Sequence, residues 1–193
     1  MEPVTLKNVK PHFYTFSFDF GQLLALQRLF DRQVRSYLLQ NPELLSGGAT
    51  HCFALPGGDF SLFSYNQAPL LWIAANNNKC RGLFQSFFDT LAPNLRKLLQ
   101  ARLSIKKNLQ LYSGFFVVGH QATEALWHTD YLNNANAYTL LTPLFALEPE
   151  HGQLLYQLNE ASLRYTYKLG EAVCVGQDLL HTCLLYTSPS PRD

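Results

Sequence analysis

The chain has 193 residues, 47% hydrophobic and 13% aromatic, which is enough apolar side chain for one sizeable core and argues against disorder. A charged fraction of 15% and a net charge of +1 give no basic footprint of the kind nucleic-acid binders carry. No run of about 18 apolar residues and no basic-then-apolar leader occurs, so neither a membrane span nor a secretion signal is expected.

In chain order, Phe20 to Leu39 carries apolar residues at helical spacing, with Asp19 as N-cap and Asn41-Pro42 as the stop. Glycine and proline clusters at 47–48 and 56–58 bracket a strand at His51 to Leu55. Strands at Phe60 to Tyr65 and Leu70 to Ala74 follow, and Asn76 to Asn78 reads as a loop. A helix is expected from Arg81 to Leu91, and Pro93 restarts it because proline suits a first helical turn; Leu95, Leu98, Leu99 and Leu103 form its apolar face. Phe84, Phe87 and Phe88 are read as core.

Short strands then dominate: Leu109 to Val118, Ala137 to Leu147, Gly152 to Leu158, Arg164 to Leu169 and Glu171 to Val175, with turns at 148–152, 159–162 and 169–170. Such close spacing predicts an antiparallel sandwich or barrel. The chain is thus expected to be mainly β with N-terminal helices, an α+β fold in a single domain over 1–182, with 1–108 supporting a β core at 109–182.

Three widely spaced cysteines, Cys52, Cys80 and Cys174, form no Cys-x-x-Cys pattern, and point to reduced, mostly buried thiols in a cytoplasmic protein. A fourth, Cys183, opens a tail that reads differently from the rest. Residues 183–193 match, codon for codon, the in-frame translation of a transposon adapter used in sequencing libraries, so the natural sequence is expected to run only as far as Thr182.

Chemistry concentrates in Trp127 to Tyr131, which contains His128 and Asp130. On a strand, positions i and i+2 point to one face, so the pair could hold a metal from one side, with His181 closing the set from another strand. Two imidazoles and a carboxylate leave half of an octahedral iron open, as an oxygenase requires. A composition with six histidines supplies roughly 0.2 His-x-Asp pairs per chain by chance, so the context has to carry the reading.

That context is the order His128-x-Asp130, Tyr138 to Leu144, His151 to Tyr156, Gly170 to Val173, then Gly176 ahead of His181. It resembles the 2-oxoglutarate- and Fe(II)-dependent oxygenases, in particular their prolyl-hydroxylase-like branch, over roughly residues 109–182. The resemblance implies a double-stranded β-helix, or jelly roll, buttressed by N-terminal helices. It also implies Fe(II) held by His128, Asp130 and His181, with 2-oxoglutarate and O2 as cosubstrates. The expected reaction is hydroxylation of a peptide side chain or small molecule with release of succinate and CO2. That family usually carries a basic residue about ten positions beyond the distal histidine; Arg192 stands near that place but inside the adapter-like tail, and is read as coincidence.

On the strand Tyr138 to Leu144, Tyr138, Leu140 and Thr142 share a face, and the Tyr138 and Thr142 hydroxyls could bind a cosubstrate carboxylate or serve structural bonds equally well. Asn133, Asn134 and Asn136 fall where a loop could reach a substrate. His12, His51, His120 and His151 are not read as ligands. Arg96, Lys97, Arg102, Lys106 and Lys107 are read as a solvated face. The alternative reading is a catalytically inactive oxygenase-like binding module. A cupin-type centre would want a third ligand near His128, and hydrolase chemistry lacks its motifs. Substrate and oligomeric state stay open.

Overall fold

In a computed structural model, residues 13–45, 49–65, 68–103, 108–119, 127–130, 137–147, 153–158 and 160–184 are described. The expectations at His12, His120, His151, Asn133, Asn134, Asn136, Lys106, Lys107 and Arg192, and at the 148–152 turn, lie outside them, as do the side chains of Leu98, Leu99, Arg102 and Leu103. The described chain is β-rich α+β, with three antiparallel sheets and a short helical region. The described residues fall into two compact units, 13–17 with 127–184, and 18–119.

The second unit opens with a helical run: a 3-10 turn at Phe20–Leu23, α1 at Leu24–Leu29, a π segment at Phe30–Arg35 and α2 at Ser36–Gln40. Asp19 caps it, its carboxylate accepting from Gly21 N at 2.9 Å. The buried residues Leu23, Leu26, Phe30, Val34 and Leu38 recur at helical intervals and form one apolar stripe. Four strands follow the order β2 (His51–Ala54), β3 (Phe60–Tyr65), β4 (Ala68–Ala75) and β5 (Phe115–Gly119). Alternation puts Phe60, Leu62, Leu71, Ile73 and Phe116 on one buried face. Phe116 gathers Phe30, Phe60 and Phe84 around it at ring-centroid distances of 5.2, 5.7 and 5.0 Å. Phe84 is buried, whereas Phe87 and Phe88 are only half-buried. Arg96 is half-buried and Lys97 exposed.

Two expectations change here. The helix does not stop at Leu91: α3 runs unbroken from Asn78 to Leu103 with Pro93 inside it. Leu91 and Leu95, four residues apart and 0% and 4% exposed, anchor the helix on both sides of the exposed proline. Burying two leucines at roughly 1.5–3 kcal/mol each outweighs a proline cost of about 3 kcal/mol. The strand expected from Leu109 starts only at Phe115 and pairs with β4, and so belongs to this four-stranded sheet.

The first unit holds the other two sheets. One has the order β1 (Phe13–Ser17), β9 (Glu171–Gly176), β6 (Tyr138–Leu141); the other β10 (His181–Leu184), β7 (Gln153–Leu158), β8 (Ala161–Thr166). They share a core in which Val173 and Val175 from one sheet meet Leu154 from the other, with Leu179 between, and Phe13, Leu141, Tyr156 and Tyr165 around them. Phe13 stacks on Tyr156 with ring centroids 4.0 Å apart. Strand β9 is buried on both faces, Val173 and Val175 inward, Ala172 and Cys174 on the opposite side. Strand β8, by contrast, is an exposed edge that carries Ser162 and Arg164, as edges that avoid further pairing do. The chain reverses between β8 and β9 at Gly170, whose φ of 74° is open to glycine.

Strand β6 ends at Leu141, short of the expected Leu147. Buried Pro143 has no N–H to continue a ladder, and the Thr142 hydroxyl donates to Glu171 O at 3.0 Å where the pairing ends. The tail boundary expected after Thr182 falls inside β10, where Cys183 and Leu184 pair with Leu154 and Gln153 through main-chain groups that any non-proline residue carries.

Candidate metal centre

His128 lies beside β10 and exchanges both main-chain hydrogen bonds with His181: His128 N donates to His181 O at 2.9 Å, and His181 N to His128 O at 3.0 Å. Residues directly opposite in an antiparallel pair share a face, so both imidazoles leave from the same side. Their ring centroids lie 4.6 Å apart. Two residues beyond His128, period-2 alternation returns Asp130 to that face, and its Oδ1 sits 3.5 Å from Nε2 of His128 and 3.5 Å from Nε2 of His181. The three donor atoms all lie within 4.8 Å of one another, and among the described residues this is the one such group.

The residues present fit a metal ion. Donors about 2.1 Å from a shared ion, at angles of roughly 90–110°, stand about 3.0–3.4 Å apart, close to the two separations found. At 3.5 Å the contacts are long for hydrogen bonds, whereas an ion between the three would draw each donor inward slightly. His181 is 2% exposed, and its Nδ1 lies 2.9 Å from Leu179 O. A carbonyl only accepts, so Nδ1 carries the proton and the Nε2 lone pair faces the cluster. Exposure rises toward Asp130 and His128, whose side chains are 21% and 38% exposed, so the cluster opens to solvent on their side.

Burial alone would raise the pKa of Asp130. The imidazoles of His128 and His181 and the Thr139 hydroxyl around it outweigh that and hold the carboxyl well below the usual carboxylate range, so it stands ready as an anionic ligand.

Of the two hydroxyls singled out for a cosubstrate, neither is placed beside the three ligands by its contacts. Thr142 donates to the Glu171 carbonyl. Tyr138 pairs with Gly176, and its titratable neighbours are Cys174, Tyr14 and Asp178, which puts it on the side of β9 away from Val173 and Val175. Burial pushes its phenol up to about 12. The residue of β6 that does reach the cluster is Thr139, one position along and therefore on the other face. The signal for it lay in Leu141 and Val173, apolar residues whose pairing sets the inward face of β6, but the register was needed to use it. No family model, curated protein or solved structure matches the chain.

Proposed function

We propose that this protein is an Fe(II)- and 2-oxoglutarate-dependent dioxygenase that hydroxylates a peptide side chain or small molecule, built on a double-stranded β-helix. The single observation that carries the reading is the convergence of His128, Asp130 and His181, two neutral nitrogens and one carboxylate on one side of an ion, which is the ligand set of non-haem oxygenases. Bound iron with 2-oxoglutarate and O2 would supply an oxidant strong enough for an unactivated C–H bond, with succinate and CO2 as co-products.

The path of the chain supports the scaffold. From the His128 segment onward it runs to the opposite sheet at β6, returns for β7 and β8, crosses again at β9 and returns at β10. This wrapping of two sheets around one core is how a double-stranded β-helix is wound. It also explains why ligands 53 positions apart meet: His128 and His181 are neighbours in one sheet, and β6 to β9 form the excursion between them.

The chain's own residues have three tasks. His181, locked by the Leu179 carbonyl, presents its Nε2 without reorientation. Asp130 supplies the negative charge that favours a divalent ion. The apolar packing of Leu154, Val173, Val175 and Leu179 excludes water from one side and leaves the solvent side for substrate.

The test is turnover of 2-oxoglutarate by the purified protein, followed as the succinate formed. Succinate should form only when Fe(II) and O2 are both supplied, and Asp130→Ala should abolish it. Iron binding without any 2-oxoglutarate affinity by calorimetry would favour the inactive binding module instead.

A further inference from the structure

Thr139 lies on β6, in the sheet opposite the one that holds His181. Its register partner is Val175, and two positions on Leu141 pairs with Val173; both valines are fully buried in the core between the sheets. Thr139 is therefore the polar residue on an otherwise apolar inward face, and its side chain is hydrogen-bonded to Asp130. Asp130 itself sits two residues past the main-chain bridge of His128 to His181, the one ladder pairing among the described residues 127–130.

We propose that Thr139 is a positioning residue for the metal, fixing the rotation of the Asp130 carboxylate so that one oxygen is presented between the two imidazole nitrogens. This rests on the metal-centre reading above and deepens it. A carboxylate rotates easily about its terminal torsion and can ligate through one oxygen or both. A hydroxyl donating to it from the facing sheet selects one orientation, keeps it a one-oxygen ligand, and so preserves the open coordination positions that an oxygenase uses. Because Thr139 is anchored in a paired strand, it offers the Asp130 carboxylate a partner fixed in place.

Valine has the shape of threonine without the hydroxyl, so Thr139→Val removes the hydrogen bond and little else, while Thr139→Ser restores the donor. The probe is Co(II), titrated into the metal-free protein by calorimetry and by its visible absorption, with thermal unfolding of each metal-free variant alongside. Thr139→Val should bind Co(II) about 10- to 100-fold more weakly and show altered band intensities; Thr139→Ser should return both toward wild type. If Thr139→Val does not fold, Thr139→Ala carries the same comparison against Thr139→Ser. A wild-type protein that binds no Co(II) sinks the metal centre and this role together. Wild type and the valine variant binding with equal affinity and identical spectra would overturn the role of Thr139 alone, whatever the variant does to unfolding.

Discussion

Cys174 and Cys52 show how burial sorts like side chains into different chemistry. Cys174 is fully buried in the central strand β9, and burial pushes its thiol up to about 12, whereas Cys52 is exposed. Since the thiolate is the reactive form, iodoacetamide at pH 8 should modify Cys52 and leave Cys174 intact in the native protein, as read by peptide mass mapping. Linkage gives a second outcome. A thiol whose pKa is raised on folding holds its proton longer in the native state than in the unfolded one, so its contribution to stability is intact below about pH 8.5 and drains as pH rises toward the folded value. Denaturant unfolding between pH 8 and 11 should show that loss, and Cys174→Ala should flatten it. At this scale much was legible: His128, Asp130 and His181 are all placed together, because i and i+2 on an extended segment share a face whatever surrounds them. Thr139 was not legible, since which face of β6 turns inward depends on pairing with β9, not on the strand's own sequence.

Among the elements, agreement follows the strength of the local signal. Asp19 as a cap and Gly170 as a turn are chemistry written in one residue, and both stand where expected. The ends of β6 and α3 moved because a neighbour decided them: Pro143 cut one short, and the buried pair Leu91 and Leu95 carried the other through Pro93. Gly114 reveals a further constraint of this kind. A Cβ there would stand 2.4 Å from the Phe84 ring, in the ring cluster around Phe116. Gly114→Ala should destabilise the protein by about 1–3 kcal/mol through overpacking, measured by urea unfolding. Relief of that loss by Phe84→Leu in the double variant would identify the clash as its cause.

For the molecule as a whole, the β-rich α+β character followed from strand spacing and composition. The assignment of strands to sheets did not: β1, far from the site in sequence, pairs with β9, and β5, adjacent to it, pairs with β4. Long-range pairing is chosen by which buried faces fit, and a single sequence does not list those partners. In the described residues no helix is long and apolar enough to cross a membrane. Within the first unit, the shared core of the two sheets should be the main source of stability. Leu154→Ala should therefore cost about 2–5 kcal/mol in unfolding measurements and weaken metal binding only as far as the fold is lost.

The central claim is that His128, Asp130 and His181 grip one divalent ion. The most direct measurement is an anaerobic calorimetric titration of the metal-free protein with Fe(II), repeated on His128→Ala, Asp130→Ala and His181→Ala, with circular dichroism to confirm that each variant is folded. A single iron per chain in wild type, lost in each folded variant, is the predicted result; stoichiometric binding that survives all three substitutions would contradict it.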